Sequence, residues 1–326
     1  MRRYIVIITC FLLLIVIMTS MIFFLRKSDI HENDKILVVA TLFPEYDFAK
    51  QIVGDKADVK LLLNSGVETH NYEPTAQDMI TILEKCDIFL YTGEDLEPWT
   101  SNIIKNLKET DCKIVDVSEG IDLIKKEEFE ERHLNNEIKY DSESEDSHDE
   151  IYDEHIWLSP INAKVMLNNI LNAVIQVDSQ NIDFYKLNAD KYRSEIDEVD
   201  TEIRNLLSNS EKKEIAIGGE FAYTYLINEY GLNFVSVYSN CGEGEDPSIS
   251  KVKSVIDYIN KYNLPVVYYQ ELSEGTVARM IAEETNAKPL VLYSIHNADI
   301  EKDTYVSLMK ENVQNLKEGL SKKWVF

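Results

Sequence analysis

From Lys35 to the C-terminus, short unbroken apolar runs alternate with stretches whose apolar residues recur every three or four positions. Lys35 to Thr41 reads as a buried strand, and Pro44 opens a helix carrying Phe48, Ala49, Ile52 and Val53. The rhythm then repeats: Val59 to Leu63 strand-like, Thr75 to Leu83 helical, Ile88 to Tyr91 strand-like, Pro98 to Leu107 helical, Lys113 to Val117 strand-like. Continuous apolar strands between amphipathic helices predict an α/β fold with a parallel, doubly wound sheet. In such a sheet the ligand crevice lies at the carboxyl ends of the strands.

A second lobe follows the same plan, with strands expected at Glu214 to Gly218, Asn233 to Tyr238, Pro265 to Gln270 and Pro289 to Tyr293. Helices are expected to begin near Glu220, Ser248, Ser273 and Asp303. Between the lobes, Tyr185, Ala189, Tyr192, Ile196, Val199, Ile203 and Leu206 form one apolar seam, spaced three and four apart. That spacing, with no Gly or Pro from Gln176 to Glu214, predicts a long rigid helix serving as a strut. The predicted division is an N-terminal lobe over 28–180, a linking helix over 181–208 and a C-terminal lobe over 209–326.

Composition bounds the function. The 326-residue chain is 44% hydrophobic, enough for a substantial core, and its net charge is −25. That charge excludes nucleic acid as the main partner, because phosphate binding needs a basic surface; cations are the natural guests. Acids and serines dominate from Glu127 to Glu154, which reads as a flexible loop inside the first lobe holding His133 and His148. It is either a solvated loop or a dynamic cation collector.

The N-terminus points to location. Arg2 and Arg3 precede an apolar run from Tyr4 to Leu25, closed by Arg26 and Lys27. The run is long enough to cross a bilayer as a helix. Residues 1–27 are a membrane anchor or a signal peptide; the lack of a small-x-small cleavage site favours the uncleaved anchor. An extracytoplasmic protein, tethered or secreted, is expected. The four cysteines, Cys10, Cys86, Cys112 and Cys241, contain no C-x-x-C pair, so a zinc ribbon is a poor reading. Cys86 and Cys112 each precede a strand-like run, leaving open a disulfide or two free thiols.

Chemistry converges on histidines. His70 lies between a Gly turn and Pro74, His155 lies just outside the helix start set by Ser159 and Pro160, and His296 follows the last strand. Three histidines on predicted cleft edges with acidic neighbours suggest a metal site assembled from distant segments. Imidazole suits zinc, and added carboxylates shift preference toward manganese or iron.

These residues also carry a family resemblance. Gly66-Val67-Glu68-Thr69-His70-Asn71-Tyr72-Glu73-Pro74 and His155-Ile156-Trp157-Leu158-Ser159-Pro160 are similar to two signatures of the zinc/manganese substrate-binding proteins of ABC transporters. The resemblance continues through Phe221-Ala222-Tyr223, Tyr230-Gly231-Leu232, Asp246-Pro247-Ser248 and the stretch from Thr304 to Val313. It implies two α/β lobes joined by one rigid helix, with a single Zn2+ or Mn2+ held between them as the transported ligand. It also implies an ABC permease and its ATPase subunit as partners; a monomer is expected. His70 and His155 are the implied first-lobe ligands. Many members carry a His or Glu three residues before the Phe matching Phe221; that position is Gly218 here, and Glu220 is the nearest carboxylate. His296 is expected to replace an acidic ligand, while Glu220, Glu243 and Glu271 compete for a fourth place, with Glu271 reading as structural. Cys241 is a remote candidate. Two other functions use the same residues: a zinc-dependent hydrolase with Glu220 as general base, although His-Glu-x-x-His and Gly-x-Ser-x-Gly are absent, and a metal-binding surface adhesin.

Overall fold

Two parallel sheets with the same strand order present their carboxyl ends to the chemistry. The computed structural model describes residues 35–63, 72, 74–93, 96–134, 151–239 and 247–320. The expected anchor at 1–27 and His148 lie outside these described residues. In the first sheet, β1 (Leu37–Ala40), β2 (Asp58–Leu61), β3 (Ile88–Tyr91) and β4 (Lys113–Asp116) lie in the order β2-β1-β3-β4. In the second, β5 (Glu214–Ile217), β6 (Asn233–Ser236), β7 (Val266–Tyr269) and β8 (Lys288–Val291) lie in the order β6-β5-β7-β8. All pairs are parallel. Each sheet therefore reverses its winding between its first and third strands, where a doubly wound sheet opens its crevice.

The helices are α1 (Phe43–Val53), α2 (Ala76–Lys85), α3 (Ser101–Leu107), α4 (Lys126–Leu134), α5 (Pro160–Val177), α6 (Ile182–Ser208), α7 (Thr224–Tyr230), α8 (Ile249–Tyr262), α9 (Thr276–Glu283) and α10 (Tyr305–Leu320). Leu37–Phe326 clusters as one compact unit. The expected strut is α6, whose 27 residues extend about 40 Å at 1.5 Å per residue. Its seam is buried as expected except at the end, where Leu207 replaces Leu206 because four residues from Ile203 complete the turn. The seam packs on α1, α5 and α10. One buried carboxylate ties three of these helices: Asp47 of α1 accepts from the Tyr192 hydroxyl of α6 and, at 2.9 Å, from the Tyr305 amide of α10. Burial pushes the Asp47 carboxyl up, and these donors and Gln51 oppose it.

Glu127 to Glu154 is not one unstructured segment. Lys126–Leu134 is helical, because Phe129 gives this polar stretch an anchor in the second half of the chain. Its ring lies 5.7 Å from that of Phe234 and 6.0 Å from that of Phe221. Asp153 and Glu154 are buried. Helix α7 begins at Thr224, not near Glu220, since 218–223 first crosses the sheet edge as irregular chain.

Two carboxylates meet at the first sheet's winding reversal. Thr41 Oγ1 lies 2.8 Å from Glu45 Oε2 and 2.9 Å from Glu97 Oε2, all buried. The Thr41 hydroxyl has one proton for two carboxyl oxygens, so a proton on either carboxyl relieves the contact. Glu45 accepts from the Thr41 and Leu42 amides at 3.1 Å each and from the Thr92 hydroxyl at 2.5 Å, at the N-terminus of α1. Those donors and the helix dipole favour its anion. Glu97 has one backbone donor, Thr92 N at 2.6 Å, and its Oε1 is buried without a hydrogen bond. A proton held at this pair therefore rests more readily on Glu97 than on Glu45. Burial raises both carboxyls, and the nearby Glu45 charge helps hold Glu97 well above the ordinary range.

Candidate metal site

His155 is delivered by a short 3-10 turn, Ile156–Leu158, that runs into α5, where Ser159 Oγ accepts from the Asn162 amide at 3.4 Å. Proline at the first helical position completes the start. The ring is buried, and its Nδ1 lies 3.2 Å from Asp153 Oδ1. The same oxygen accepts from the His155 amide at 2.9 Å, and Oδ2 accepts from the Thr224 hydroxyl at 2.7 Å. Burial pushes the Asp153 carboxyl up, but His155, Thr224 and Lys126 outweigh it and hold the carboxyl below its ordinary value. An ionised Asp153 accepts the proton of Nδ1, so in the neutral imidazole Nε2 is the nitrogen that carries the lone pair a metal needs. Asp153, Glu154 and His155 can place ligand atoms within 4.8 Å of one another. Both Asp153 oxygens already accept hydrogen bonds, so Asp153 orients the imidazole.

His296 follows β8 on a different support. Its Nδ1 lies 2.7 Å from Ser294 Oγ, which donates to Glu271 Oε1 at 3.0 Å. With its one proton given to Glu271, the serine accepts from Nδ1–H, and the lone pair again falls on Nε2. Glu271 also accepts from the Ser294 amide at 2.8 Å and the Ile295 amide at 3.0 Å. Burial raises this carboxyl, and these donors pull it back. Between them Ile295 has φ +65°, a left-handed conformation rarely adopted by a β-branched residue, costing on the order of 1–3 kcal/mol. The Glu271 grip on two successive amides sustains this turn and aims His296.

The two rings meet with centroids 5.9 Å apart and planes at 64°. Trp157 joins the two segments by donating Nε1–H to Ser294 O at 2.7 Å, and its own carbonyl accepts from Tyr305 Oη at 2.8 Å. His296 O accepts from the Phe43 amide at 3.5 Å, so α1 closes on the same loop.

Glu220 lies three residues beyond β5, half-buried, at the carboxyl end of its sheet. His70, Glu243 and Cys241 lie outside the described residues. Glu271 clamps the loop through its two amide contacts. Gly218 is fixed by packing: a Cβ there would come within 2.9 Å of Ala278 Cα and 3.0 Å of Val267 Cγ2. A ligand side chain has no room at that position. Asp153, Ser294 and Ile295 carry no role legible from the sequence alone; the first two are visible there as polar neighbours two residues before each His, but not as its partners.

Two parallel sheets of the same strand order, with two imidazoles brought from separate chain segments to within 5.9 Å, have the make-up of a two-lobe, cleft-type metal-binding protein. The family profile described as ZnuA, zinc-uptake complex component A, periplasmic, matches residues 38–319, and the chain belongs to this family. It is 34% identical over 293 residues, 89% of both chains, to the high-affinity zinc uptake system protein ZnuA of Bacillus subtilis strain 168. Among solved structures, the metal-dependent lipoprotein YcdH of Bacillus subtilis is 31% identical with a TM-score of 0.72, covering 88% of this chain and 99% of that one. The Zn(II)-bound ZnuA-like domain of Streptococcus pneumoniae AdcA is 25% identical with a TM-score of 0.72, covering 88% and 100%.

Proposed function

We propose that this chain captures a zinc ion outside the cytoplasm and delivers it to an ABC permease driven by its ATPase subunit. The observation that carries the reading is the 5.9 Å approach of His155 and His296, each held through Nδ1 in the tautomer whose Nε2 bears the lone pair. Two imidazoles on one tetrahedral zinc place their centroids roughly 5 Å apart, given Zn–N near 2.0–2.1 Å. His70 is the proposed third ligand and Glu220 the fourth. Manganese can occupy the same set with lower preference, since imidazole nitrogens outnumber carboxylate oxygens. The chain acts as a monomer, held at the membrane by the Tyr4 to Leu25 segment; the name lipoprotein given to a relative is consistent with tethering. No reaction is catalysed in this role.

Calorimetric titration of the chelator-stripped full chain with zinc tests the proposal. One site per chain is expected, with affinity reduced at least ~100-fold in His155→Ala/His296→Ala. Undiminished binding by a double variant with a native circular dichroism spectrum would refute the site.

A further inference from the structure

At the amino ends of β3 and β4 two sulfurs face each other. Cys86 Sγ and Cys112 Sγ lie 3.1 Å apart, 26 residues apart in sequence. Their placement follows from the fold. Cys86 is the C-cap of α2, two residues before β3, and Cys112 immediately precedes β4. The parallel pairing of Ile88 with Lys113, and the 2.8 Å bond from Lys113 N to Asp87 O, bring the starts of both strands together. Cys86 belongs to the apolar cluster of Val39, Ile82, Phe89 and Leu107, and Cys112 packs against it. Cys112 is half-exposed whereas Cys86 is buried.

We propose that Cys86 and Cys112 form a disulfide when the protein meets an oxidising thiol–disulfide pool, clamping the end of α2 to the edge strand β4. Sulfurs this close, at the starts of two hydrogen-bonded strands, need only about an ångström of approach to reach a bond near 2.05 Å. The asymmetry of exposure sets the order of events. The Cys112 thiolate attacks one sulfur of a small disulfide such as oxidised glutathione; that S–S bond breaks, and one glutathione leaves as thiolate and takes a proton. Cys86 then loses its proton to solvent base and attacks Cys112 Sγ, displacing the second glutathione thiolate. Two protein thiols are oxidised and one glutathione disulfide is reduced to two thiols. The contact with Cys112 and burial both push the Cys86 thiol up, which leaves the more exposed Cys112 to make the first attack. The clamp has a mechanical consequence: it fixes the carboxyl end of α2 against the start of β4.

The reaction depends on the extracytoplasmic location in the proposed function only for its oxidant, and a test on purified protein separates the two. The chelator-stripped full chain is equilibrated in glutathione buffers of increasing oxidised fraction, quenched with a maleimide, and mapped by non-reducing peptide mass spectrometry. A linked peptide pair containing Cys86 and Cys112, lighter by two hydrogens, is expected. Reduction should lower Tm by about 5 °C in the wild-type chain and leave Cys86→Ser and Cys112→Ser unchanged. Full maleimide labelling of both residues in the most oxidising buffer would overturn the proposal, as would a bond from either to Cys10 or Cys241. Equal Tm in both redox forms would overturn the clamp. Zinc titration of the same samples reports the metal site independently: thiol pairing with failed zinc binding leaves this proposal standing and removes the other.

Discussion

His155 and His296 lie 141 positions apart in sequence, yet their rings approach to 5.9 Å, and each is held through Nδ1 by a carboxylate, directly from Asp153 and through Ser294 from Glu271. Both imidazoles are thereby held through the same ring nitrogen, and in the proposed metal site that preorganisation lowers the ordering cost of binding.

The Ser294 relay makes a specific prediction. Ser294→Ala removes the acceptor of Nδ1–H, so the tautomer and ring orientation of His296 are no longer imposed. Zinc affinity should fall about 10-fold with one site per chain retained, in line with losses on removing outer-shell partners. Calorimetry measures it; an unchanged affinity would show that His296 orients without the serine.

Trp157 has a related role, because its indole N–H binds the carbonyl of Ser294 across the two histidine-bearing segments. Trp157→Phe leaves that buried carbonyl without its donor. A stability loss of about 1–3 kcal/mol is expected in urea unfolding, with a concurrent loss of zinc affinity because the segments lose their tie.

The proton shared near Thr41 predicts a pH dependence with a definite sign. The folded-state carboxyls of Glu45 and Glu97 are raised above the ordinary value of 4.5. Above that value the folded protein binds more protons than the unfolded chain, so their contribution is full below 4.5 and is lost as pH rises toward the folded values. Glu45→Gln keeps every bond, its amide donating to Thr92 Oγ1 and its oxygen accepting from Thr41 and Leu42, while removing one buried charge. Relative to wild type, the variant should be unchanged near pH 4 and gain about 1–2 kcal/mol by pH 8. Thermal melts across that range decide it: parallel profiles would contradict the shared proton.

Packing at Gly218 predicts that restoring a ligand there fails. Gly218→His must displace Ala278 backbone or Val267, at a cost of about 1–3 kcal/mol or more, and should not raise zinc affinity. A tighter site with native Tm would mean that β7 and α9 yield readily.

Much of this architecture is set by local pattern. Unbroken apolar runs such as Ile88 to Tyr91 specify buried parallel strands, and the three-and-four spacing from Tyr185 to Ile203 specifies α6, because each period places its apolar residues on one face. Ser159 and Pro160 mark the start of α5 by chemistry acting within one turn. The motif around His155 makes that residue conspicuous, and His296 stands out as a His at a strand end. The local signal misleads where a distant partner decides structure: the acid-rich stretch after Lys125 begins as a helix because Phe129 finds Phe221 and Phe234. Similarly, only folding shows that Gly218 has no room for a side chain, that Glu271 holds Ile295 in a left-handed turn, and that Cys86 meets Cys112. Periodicity is a property of neighbours along the chain, so the sequence determined the elements and their order. Tautomer, proton sharing and sulfur proximity depend on groups brought together across strands and lobes, so the tertiary structure decided them.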